Sequence, residues 1–231
     1  MNIYIDSSIT NVLKDFDIIA LKMDVTVKDS TEISKLVKEY EEKIKEEYSL
    51  EDILNIPLIK EARDGYKKLG KDPSRYRLAC ESLLRRLVKD QGLYLINNVV
   101  DAGNILSIEA KRSVAVLDYD KIVGDVLIRL GTETDEYYGI GRGKINVSNI
   151  SVYCDSLGPF GSTTSDTERT KVTFDTKTIL LFIICFSDSF KEEHKQYAIS
   201  LFEKYANAQN IVEIEVRKWL LWNTLQILLK Q

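Results

Sequence analysis

Three short polar side chains recur at helical spacing in residues 96–109, which read INNVVDAGNILSIE. Asn97, Asp101 and Asn104 stand at positions i, i+4 and i+7, so a helix places them along one stripe. Solvated helix faces usually carry Lys and Glu instead, because Asn and Asp compete with the backbone for hydrogen bonds and weaken a helix interior. The stripe therefore either caps neighbouring elements or faces a polar site.

A second group of polar side chains lies in residues 159–173, PFGSTTSDTERTKVT. A loop of this composition is often a set of turns bonded to its own backbone. The alternative is a site in which hydroxyls, amides and a carboxylate bind an amino acid's ammonium and orient a water. Without a histidine, that chemistry suits hydrolysis of an activated ester better than hydrolysis of an amide. The hydroxyls belong to Ser162, Thr163, Thr164, Ser165, Thr167 and Thr170, and the charged groups to Asp166, Glu168 and Arg169.

The other chemistry-bearing residues argue against a metal or a cofactor. His194 is the only histidine and lies in the charged run FKEEHKQY. Cys80, Cys154 and Cys185 show no C-x-x-C spacing, so they fit reduced thiols better than a zinc site or a disulfide. There is no P-loop and no dinucleotide fingerprint, since the glycines of GIGRGK stand in a hairpin-like setting. We predict no metal and no cofactor.

Charge is distributed unevenly, although the formal net charge is only −4. Residues 39–52 hold seven acidic and two basic side chains, whereas residues 60–89 hold ten basic and four acidic ones. A local basic face can attract phosphates even on an acidic protein, because charges are screened beyond roughly 8 Å at physiological salt. A solvated helix surface is the alternative interpretation.

The chain shows no signal for export or membrane insertion. The N-terminal MNIYIDSSIT lacks the basic and long apolar regions of a secretory signal. The most apolar run, at residues 179–186, is far shorter than the ~20 residues that span a bilayer. Together with the cysteines, this predicts a cytoplasmic protein with no membrane contact.

Hydrophobic patterns predict a mixed arrangement of strands and helices. Strands are expected at NIYID and FDIIALKMDVTV, and helices at about 31–48, from Pro57, and from Asp72 as N-cap with Pro73 in the first turn. The polar-striped helix follows at about 97–109. Short β-rich segments then run from SVAVLDY to TILLFIICF, with a helix at about 189–207.

The C-terminal segment is a strand and helix or one amphipathic helix, and its apolar side chains offer a contact for a homodimer or a protein partner. These are Trp219, Leu220, Trp222 and Leu225.

Four motifs follow one another in an order that is found in a known family. They are DPSRYRLACESLLRR, INNVVDAGNILS, LDYDKIVGD and GPFGSTTSDTERTKVTFDTKTILLFI. In this order and spacing they resemble the B3/B4 domain, the editing domain of the phenylalanyl-tRNA synthetase β subunit, and above all its freestanding relatives. The resemblance is best over residues 60–187. It implies one domain over residues 1–209, followed by an extension at 210–231, with a three-layer α/β (or α+β) fold and a β-sandwich-like core flanked by helices.

The resemblance also implies a site and a partner. In the synthetase this domain hydrolyses wrongly charged aminoacyl-tRNA, so we expect Asn104 and Gly161 to line a pocket and the polar stripe to face the floor of a cleft. Asp101 or Asp166 would hold the substrate's ammonium. Further expected pocket residues are Asn97, Ser162, Thr163, Thr164 and Arg169. Expected phosphate contacts with tRNA are Lys67, Lys68, Lys71, Arg75, Arg85 and Arg86.

Two positions depart from the family's pattern. Where the bacterial synthetase domain carries a pocket histidine, this chain has Ala115, and Phe182 stands where its pocket glutamate reads a tyrosine hydroxyl. A pocket without that acceptor should not favour a tyrosyl group. The synthetase's aminoacylation domains have no counterpart, so the chain cannot charge tRNA by itself. Two interpretations follow: a trans-editing hydrolase of misacylated tRNA, or a non-catalytic module that binds tRNA, an amino acid or a protein on the same scaffold.

Overall fold

The computed structural model describes residues 1–219. The chain begins with strand β1 (Ile3–Ile5), helix α1 (Ser7–Thr10) and strand β2 (Asp17–Asp24). A helical stretch follows, with α2 (Ser34–Glu47), α3 (Asp52–Asn55), α4 (Pro57–Lys68), α5 (Ala79–Val88) and α6 (Asn98–Ala110).

The second half is mostly β-structure. It comprises β3 (Val114–Asp118), β4 (Val126–Leu130), β5 (Tyr138–Gly139), β6 (Gly143–Lys144), β7 (Ser151–Asp155), β8 (Gly158–Ser162) and β9 (Thr178–Cys185). Helix α7 (Lys191–Ala206) and strands β10 (Gln209–Ile214) and β11 (Val216–Lys218) follow.

Two sheets pack face to face and form the sandwich that was predicted. One sheet has the order β11-β1-β4-β7-β8 and the other the order β10-β2-β9-β3. Alternate residues of each strand meet in the core between them, among them Ile5 of β1, Ile128 of β4 and Leu180 of β9. The opposite face of the four-stranded sheet is covered by α2, α6 and α7. The three-layer α/β fold class is therefore confirmed.

The helical stretch forms its own apolar cluster beside the sandwich. Ile59 and Tyr66 of α4 pack with Leu84 of α5, and Ile108 of α6 joins this cluster to the rest of the molecule. Pro57 occupies the first turn of α4, where its missing N–H is not needed. This cluster fixes the edge of α5 that faces the loop after β8.

The expected start of α5 at Asp72 is wrong, because the helix begins at Ala79. The Asp72 carboxylate accepts a hydrogen bond from the backbone N–H of Ser74 at 2.9 Å, and its carbonyl accepts one from Tyr76 at 3.0 Å. Leu78 then has an extended backbone, with φ −59° and ψ 146°, which separates this turn from the helix. The Asp-Pro pair thus starts a separate turn.

No helix within residues 1–219 is long and apolar enough to cross a bilayer. Of the apolar C-terminal side chains, Trp219 packs its ring edge-on against Tyr4 at 4.9 Å between centroids. Its backbone N–H donates to the carbonyl of Ile5 at 2.7 Å. Leu220, Trp222 and Leu225 lie outside the described residues, so the expected partner contact there stays a prediction.

Candidate functional site

A basic cleft of about 500 Å³ opens between α5, α6 and the loop after β8. Its wall carries five cationic side chains against one carboxylate, that of Asp166. Arg77 stands just before α5, Arg85 and Arg86 lie on that helix and Lys89 follows it. Arg142 reaches the cleft from the β5–β6 hairpin, in which Gly141 of the turn and Gly143 at the start of β6 have positive φ. The cations of this basic cleft are Arg77, Arg85, Arg86, Lys89 and Arg142.

An apolar chamber of about 210 Å³ continues the cleft toward the sandwich. Asn104, Val114 and Asp166 line both the chamber and the basic cleft, so the two hollows adjoin at these residues. Gly103 lets α6 approach β3 closely, because a Cβ at this position would lie 2.4 Å from the Val116 side chain. The aliphatic walls of the apolar chamber are Ile96, Val100, Val114, Val116, Ile140 and Val172.

Asp166 stands at the junction of the two hollows with one carboxylate oxygen buried. No donor among residues 1–219 makes a well-formed hydrogen bond with its Oδ1, although the residue as a whole is partly exposed. Burial raises the pKa of this carboxyl to about 7, and the nearby backbone N–H of Ser162 only partly offsets that shift. The buried Oδ1 is turned toward Gly161, while the residue as a whole lines both the cleft and the chamber.

The loop that carries Asp166 is rigidly held. The Ser162 hydroxyl accepts the backbone N–H groups of Thr164 and Ser165 at 3.3 and 3.2 Å and donates to the Ser165 carbonyl at 2.8 Å. The backbone N–H of Ile140 donates to the Asp166 carbonyl at 3.0 Å, which ties the β5–β6 hairpin to the same loop. The side chains of Asp166 and Thr164 are therefore positioned before any ligand arrives.

Glycine at position 161 provides the space into which Asp166 is turned. A Cβ there would lie 2.6 Å from the Tyr153 ring and 3.0 Å from the Asp166 Oδ1. Gly161 itself does not line the cleft or the chamber. Its role in this structure is close packing behind the carboxylate.

Of the polar stripe on α6, only Asn104 reaches the cleft. Asn97 is the N-cap of α6, and its side chain accepts the backbone N–H groups of Val99 and Val100 at 3.1 and 2.9 Å. Asp101 is 1% exposed and accepts hydrogen bonds from the Ser30 hydroxyl and from the Ile96 backbone N–H. The two side chains hold α6 and its preceding segment in place, so the stripe combines a structural and a cleft-facing part.

Two expected pocket residues of the loop after β8 are also engaged elsewhere. The Thr163 hydroxyl bonds to the hydroxyl of the buried Tyr66, which also contacts the Thr164 hydroxyl at 3.2 Å. Arg169 forms a two-pronged ion pair with Asp155, with both N–O distances at 2.9 Å. Thr164 lines the cleft, whereas Thr163 and Arg169 brace the loop.

The expected phosphate contacts divide in the same way. Arg85 and Arg86 line the basic cleft. Lys71 is 7% exposed, and its ammonium donates to the carbonyls of Asn146 and Ser148 at 3.2 and 2.7 Å, so this residue is part of the interior. Burial lowers the pKa of Lys71. Lys67, Lys68 and Arg75 are not part of the cleft lining.

The cleft lining includes cationic and aromatic residues that were not singled out from the sequence, namely Arg77, Lys89, Tyr94 and Arg142. Arg77 and Lys89 belong to the basic stretch at residues 60–89. Only the three-dimensional structure shows that they lie in the same wall of the cleft as Arg85. Arg142 had a weaker signal, since it stands in the glycine-rich GIGRGK hairpin. Nothing in the local sequence predicts that the hairpin folds over the cleft.

His194 lies on α7, away from the cleft. Its Nδ1 accepts a hydrogen bond from the Arg112 Nε at 3.2 Å. Burial, and then the positive charge of Arg112, lowers the pKa of His194 to about 4, so the ring is neutral and occupied. Within residues 1–219, no three His, Cys, Asp or Glu side chains come together as metal ligands.

The B3/4 domain family matches residues 61–214, well over half of the chain. This protein is a member of the B3/4 domain family. An N-terminal fragment of the phenylalanyl-tRNA synthetase β subunit from Pyrococcus horikoshii has a similar fold, with a TM-score of 0.52 and 11% sequence identity. The alignment covers 94% of this chain and 52% of that fragment, so the chain spans about half the fragment's length. No curated protein matches the sequence significantly.

In this B3/4 domain the two departing positions lie behind the cleft. Ala115 and Phe182 are register partners on β3 and β9, and both are buried in the core between the sheets. The Phe182 ring packs edge-on against Tyr153 at 5.2 Å. Because side chains alternate along a strand, β3 presents Val114 and Val116 to the chamber instead. The expected pocket positions are thus core positions in this protein.

Proposed function

We propose that this B3/4 domain protein is a hydrolase of aminoacyl-tRNA that removes an apolar amino acid from the 3′ end. The observation that carries the proposal is a pair of adjoining hollows: a basic cleft and an apolar chamber share Asn104 and Asp166 in their walls. An aminoacyl-tRNA carries its groups in the same order. Its phosphates would lie in the basic cleft, its ester and ammonium at the junction, and its amino-acid side chain in the apolar chamber. The cytoplasmic location expected from the sequence agrees with such a substrate.

The electrostatics of the cleft support a polyanionic ligand. Glu81 is a buried residue of α5, and its carboxylate accepts a hydrogen bond from Arg63 at 2.8 Å and forms a longer ion pair with Arg85 at 3.9 Å. Arg63 and Arg85 thus share this buried negative charge, and Arg85 also lines the cleft, where a ligand can contact it. Arg77 and Lys89 are exposed and form no ion pair within the described chain, so phosphates can reach them.

The junction supplies groups for ester hydrolysis without a covalent intermediate. The ionised Asp166 would accept hydrogen bonds from the substrate's α-ammonium, which fixes the ester carbonyl near Asn104 and Thr164. Their amide and hydroxyl would orient a water toward the carbonyl carbon, with the terminal ribose as a further hydrogen-bond partner. Water adds to that carbon, the bond to the ribose oxygen breaks, and the ribose oxygen takes a proton. The products are a free amino acid and an intact tRNA.

The apolar chamber defines the class of side chain. Six of its ten lining residues are aliphatic, its polar members being Asn104 and Asp166 at the junction and Lys171, and the position expected to read a tyrosine hydroxyl is the buried Phe182. A phenolic hydroxyl placed among these walls would lose hydrogen bonds that it makes in water. We therefore expect apolar side chains to be released in preference to tyrosyl or charged ones.

The test is deacylation of a panel of correctly charged and mischarged tRNAs by the purified protein. Release of apolar amino acids is expected, and Asn104→Ala and Thr164→Val should each reduce it by about tenfold or more. Asn55→Ala, an exposed asparagine on α3, is the matched control and should behave like the wild type. Full activity in both site variants would contradict the assignment of the site. If no tRNA of the panel is deacylated, the proposed hydrolase activity is wrong.

One observation favours a non-catalytic alternative. The positions at which the family resemblance expects a histidine and a glutamate, Ala115 and Phe182, are sealed in the core between the sheets. A module that binds uncharged or charged tRNA without hydrolysing it would use the same cleft. A flat deacylation panel together with salt-sensitive tRNA binding is the result that this alternative expects.

A further inference from the structure

Tyr94 is the most exposed large apolar side chain in the described part of the protein, and it stands in the wall of the basic cleft. It is 70% exposed, although it lies only ten residues before Asn104 in the chain. The neighbouring Leu95 and Ile96 are 50% and 54% exposed. Tyrosine rings normally bury most of their area, so an aromatic ring held open beside a cationic cleft points to a ligand with a flat face.

Arg86 holds this ring in place from one side. The Arg86 guanidinium lies 4.1 Å from the centroid of the Tyr94 ring. The same guanidinium donates to the backbone carbonyls of Gln91 and Gly92, at 3.0 Å for Gln91. Arg86 therefore fixes the segment between α5 and α6 and covers one face of the ring. The other face is left to a ligand.

We infer that Tyr94 is the stacking platform for the unpaired 3′-terminal base of tRNA, with Arg86 as its positioning residue. The inference rests on the proposed function, because it uses the ester bond to locate the base. The ester and the base are attached to the same ribose, so the base must lie within one nucleotide of the junction at Asn104 and Asp166. Tyr94, which shares the cleft with both residues, satisfies this requirement.

Stacking suits this position better than hydrogen-bonded base reading. Proteins recognise unpaired bases by stacking them on aromatic rings or guanidinium planes, and loss of one such ring weakens binding by roughly tenfold. The phosphates preceding the base would run along Arg77, Arg85 and Lys89 in the same cleft. The contribution of Tyr94 to the binding affinity should therefore not depend on the salt concentration, whereas the contribution of the cations should decrease as salt is added.

The experiment measures binding of two uncharged tRNAs, one with its complete 3′ end and one that lacks the terminal nucleotide. A third tRNA, whose terminal nucleotide keeps its ribose but lacks the base, separates stacking from ribose contacts. Wild-type protein should bind the complete tRNA about tenfold more tightly than either of the others. Tyr94→Ala should abolish this preference, while Tyr94→Phe should retain it. Phe174→Ala, a variant at an exposed aromatic residue outside the cleft, is the matched control.

Each outcome decides the inference. Loss of the preference in Tyr94→Ala alone supports it, and the slope of binding against salt should be unchanged in that variant. A preference that persists in Tyr94→Ala overturns it but leaves tRNA binding intact. A wild-type protein that binds the three tRNAs equally also overturns it. A wild-type protein that binds none of them overturns both the inference and the tRNA-binding part of the proposed function. Because this experiment uses uncharged tRNA, its result does not depend on whether the protein deacylates charged tRNA.

Discussion

At the scale of single residues, Asp166 is a carboxylate whose hydrogen-bonding capacity the described part of the fold does not satisfy. Its Oδ1 is buried without a well-formed hydrogen bond, and its pKa is raised to about 7. A buried polar group without a hydrogen-bond partner normally costs stability, and the proposed function gives this protein a reason to keep it. Asp101, the other carboxylate on which the sequence focused attention, is satisfied by Ser30 and Ile96.

The first prediction concerns the activity of Asp166→Asn. If the ionised carboxylate holds the substrate's ammonium, kcat/KM of the wild type should rise as the pH approaches about 7 and fall again as the substrate's α-amino group, whose ordinary pKa is about 7.7–8.0, loses its proton. The variant should lose about 100-fold in kcat/KM and lack this pH dependence. The measurement is deacylation between pH 5.5 and 8.5 with the spontaneous hydrolysis of the ester subtracted. Equal pH profiles in the two proteins would remove Asp166 from the reaction.

The second prediction concerns the stability of the same variant. A carboxyl whose pKa is raised from 3.8 to about 7 binds its proton more tightly in the folded chain. Its contribution to stability is therefore full below about pH 4 and is lost as the pH rises through 7. Asp166→Asn should match the wild type at pH 4 and be more stable by on the order of 1–2 kcal/mol at pH 8.5, since partial exposure weakens the effect.

Urea unfolding at a series of pH values measures this difference. The exposed Asp120→Asn is the control and should change stability little at any pH. A difference between wild type and Asp166→Asn that stays constant with pH would show that the carboxyl is not desolvated. A variant that is more stable and less active would identify Asp166 as a residue kept for function.

At the scale of elements, α6 shows what periodicity can and cannot predict. The spacing of its polar residues correctly predicted a helix near residues 97–109, and the structure has Asn98–Ala110. It could not predict that Asn97 lies at the cap, where its side chain serves the backbone, while Asn104 lies two turns later over the cleft. That distinction depends on which partners surround the helix, and those come from distant parts of the chain.

The third prediction tests the assignment of Asn97 as a cap. Asn97→Ala removes the acceptor for the Val99 and Val100 N–H groups and should lower the free energy of unfolding by about 1–2 kcal/mol. Deacylation at a temperature where the variant is folded should be unchanged. Asn97→Ser, which retains an acceptor, should recover most of the stability. A loss of activity in a folded Asn97→Ala protein would return Asn97 to the binding site.

The segment before α5 is a case in which a strong local sequence signal gives a wrong prediction. Asp-Pro is a strong local signal for a helix start, yet it starts a single turn that ends at Leu78. The three-dimensional reason is the carbonyl of Thr163, which accepts the backbone N–H of Ala79 at 3.1 Å. This long-range contact fixes the start of α5 against the loop after β8, and no local pattern encodes it.

At the scale of the whole molecule, the basic cleft belongs to a protein with a net charge of −4. Its cations come from α5, from the residues flanking it and from the β5–β6 hairpin, while the acidic stretch at residues 39–52 lies largely on α2 and α3. The sequence predicted a basic surface near α4 and α5. It could not separate the buried Lys71 from the available Arg77, because both stand in the same charged stretch.

The fourth prediction is a salt dependence of tRNA binding that is carried by the cleft. Replacing Arg77 and Lys89 together with Met should reduce the slope of log affinity against log salt by about 1.4 to 1.8, as expected for two lost phosphate contacts. Replacing Lys35 and Lys38, two exposed lysines of α2, with Met makes the same change in net charge and is the control. Equal slopes in the two double variants would place the phosphates elsewhere.

The alternation of side chains along β3 has a consequence for engineering a different chemistry into this scaffold. Val114 and Val116 face the chamber, and Ala115 between them faces the core beside Phe182. An imidazole introduced at Ala115 would be sealed among hydrocarbons, out of reach of any ester. A histidine at Val116 would instead share the chamber with Asn104 and Asp166. Rebuilding a proton-transferring group in this protein therefore requires a position displaced by one residue from the one that sequence alignment would choose.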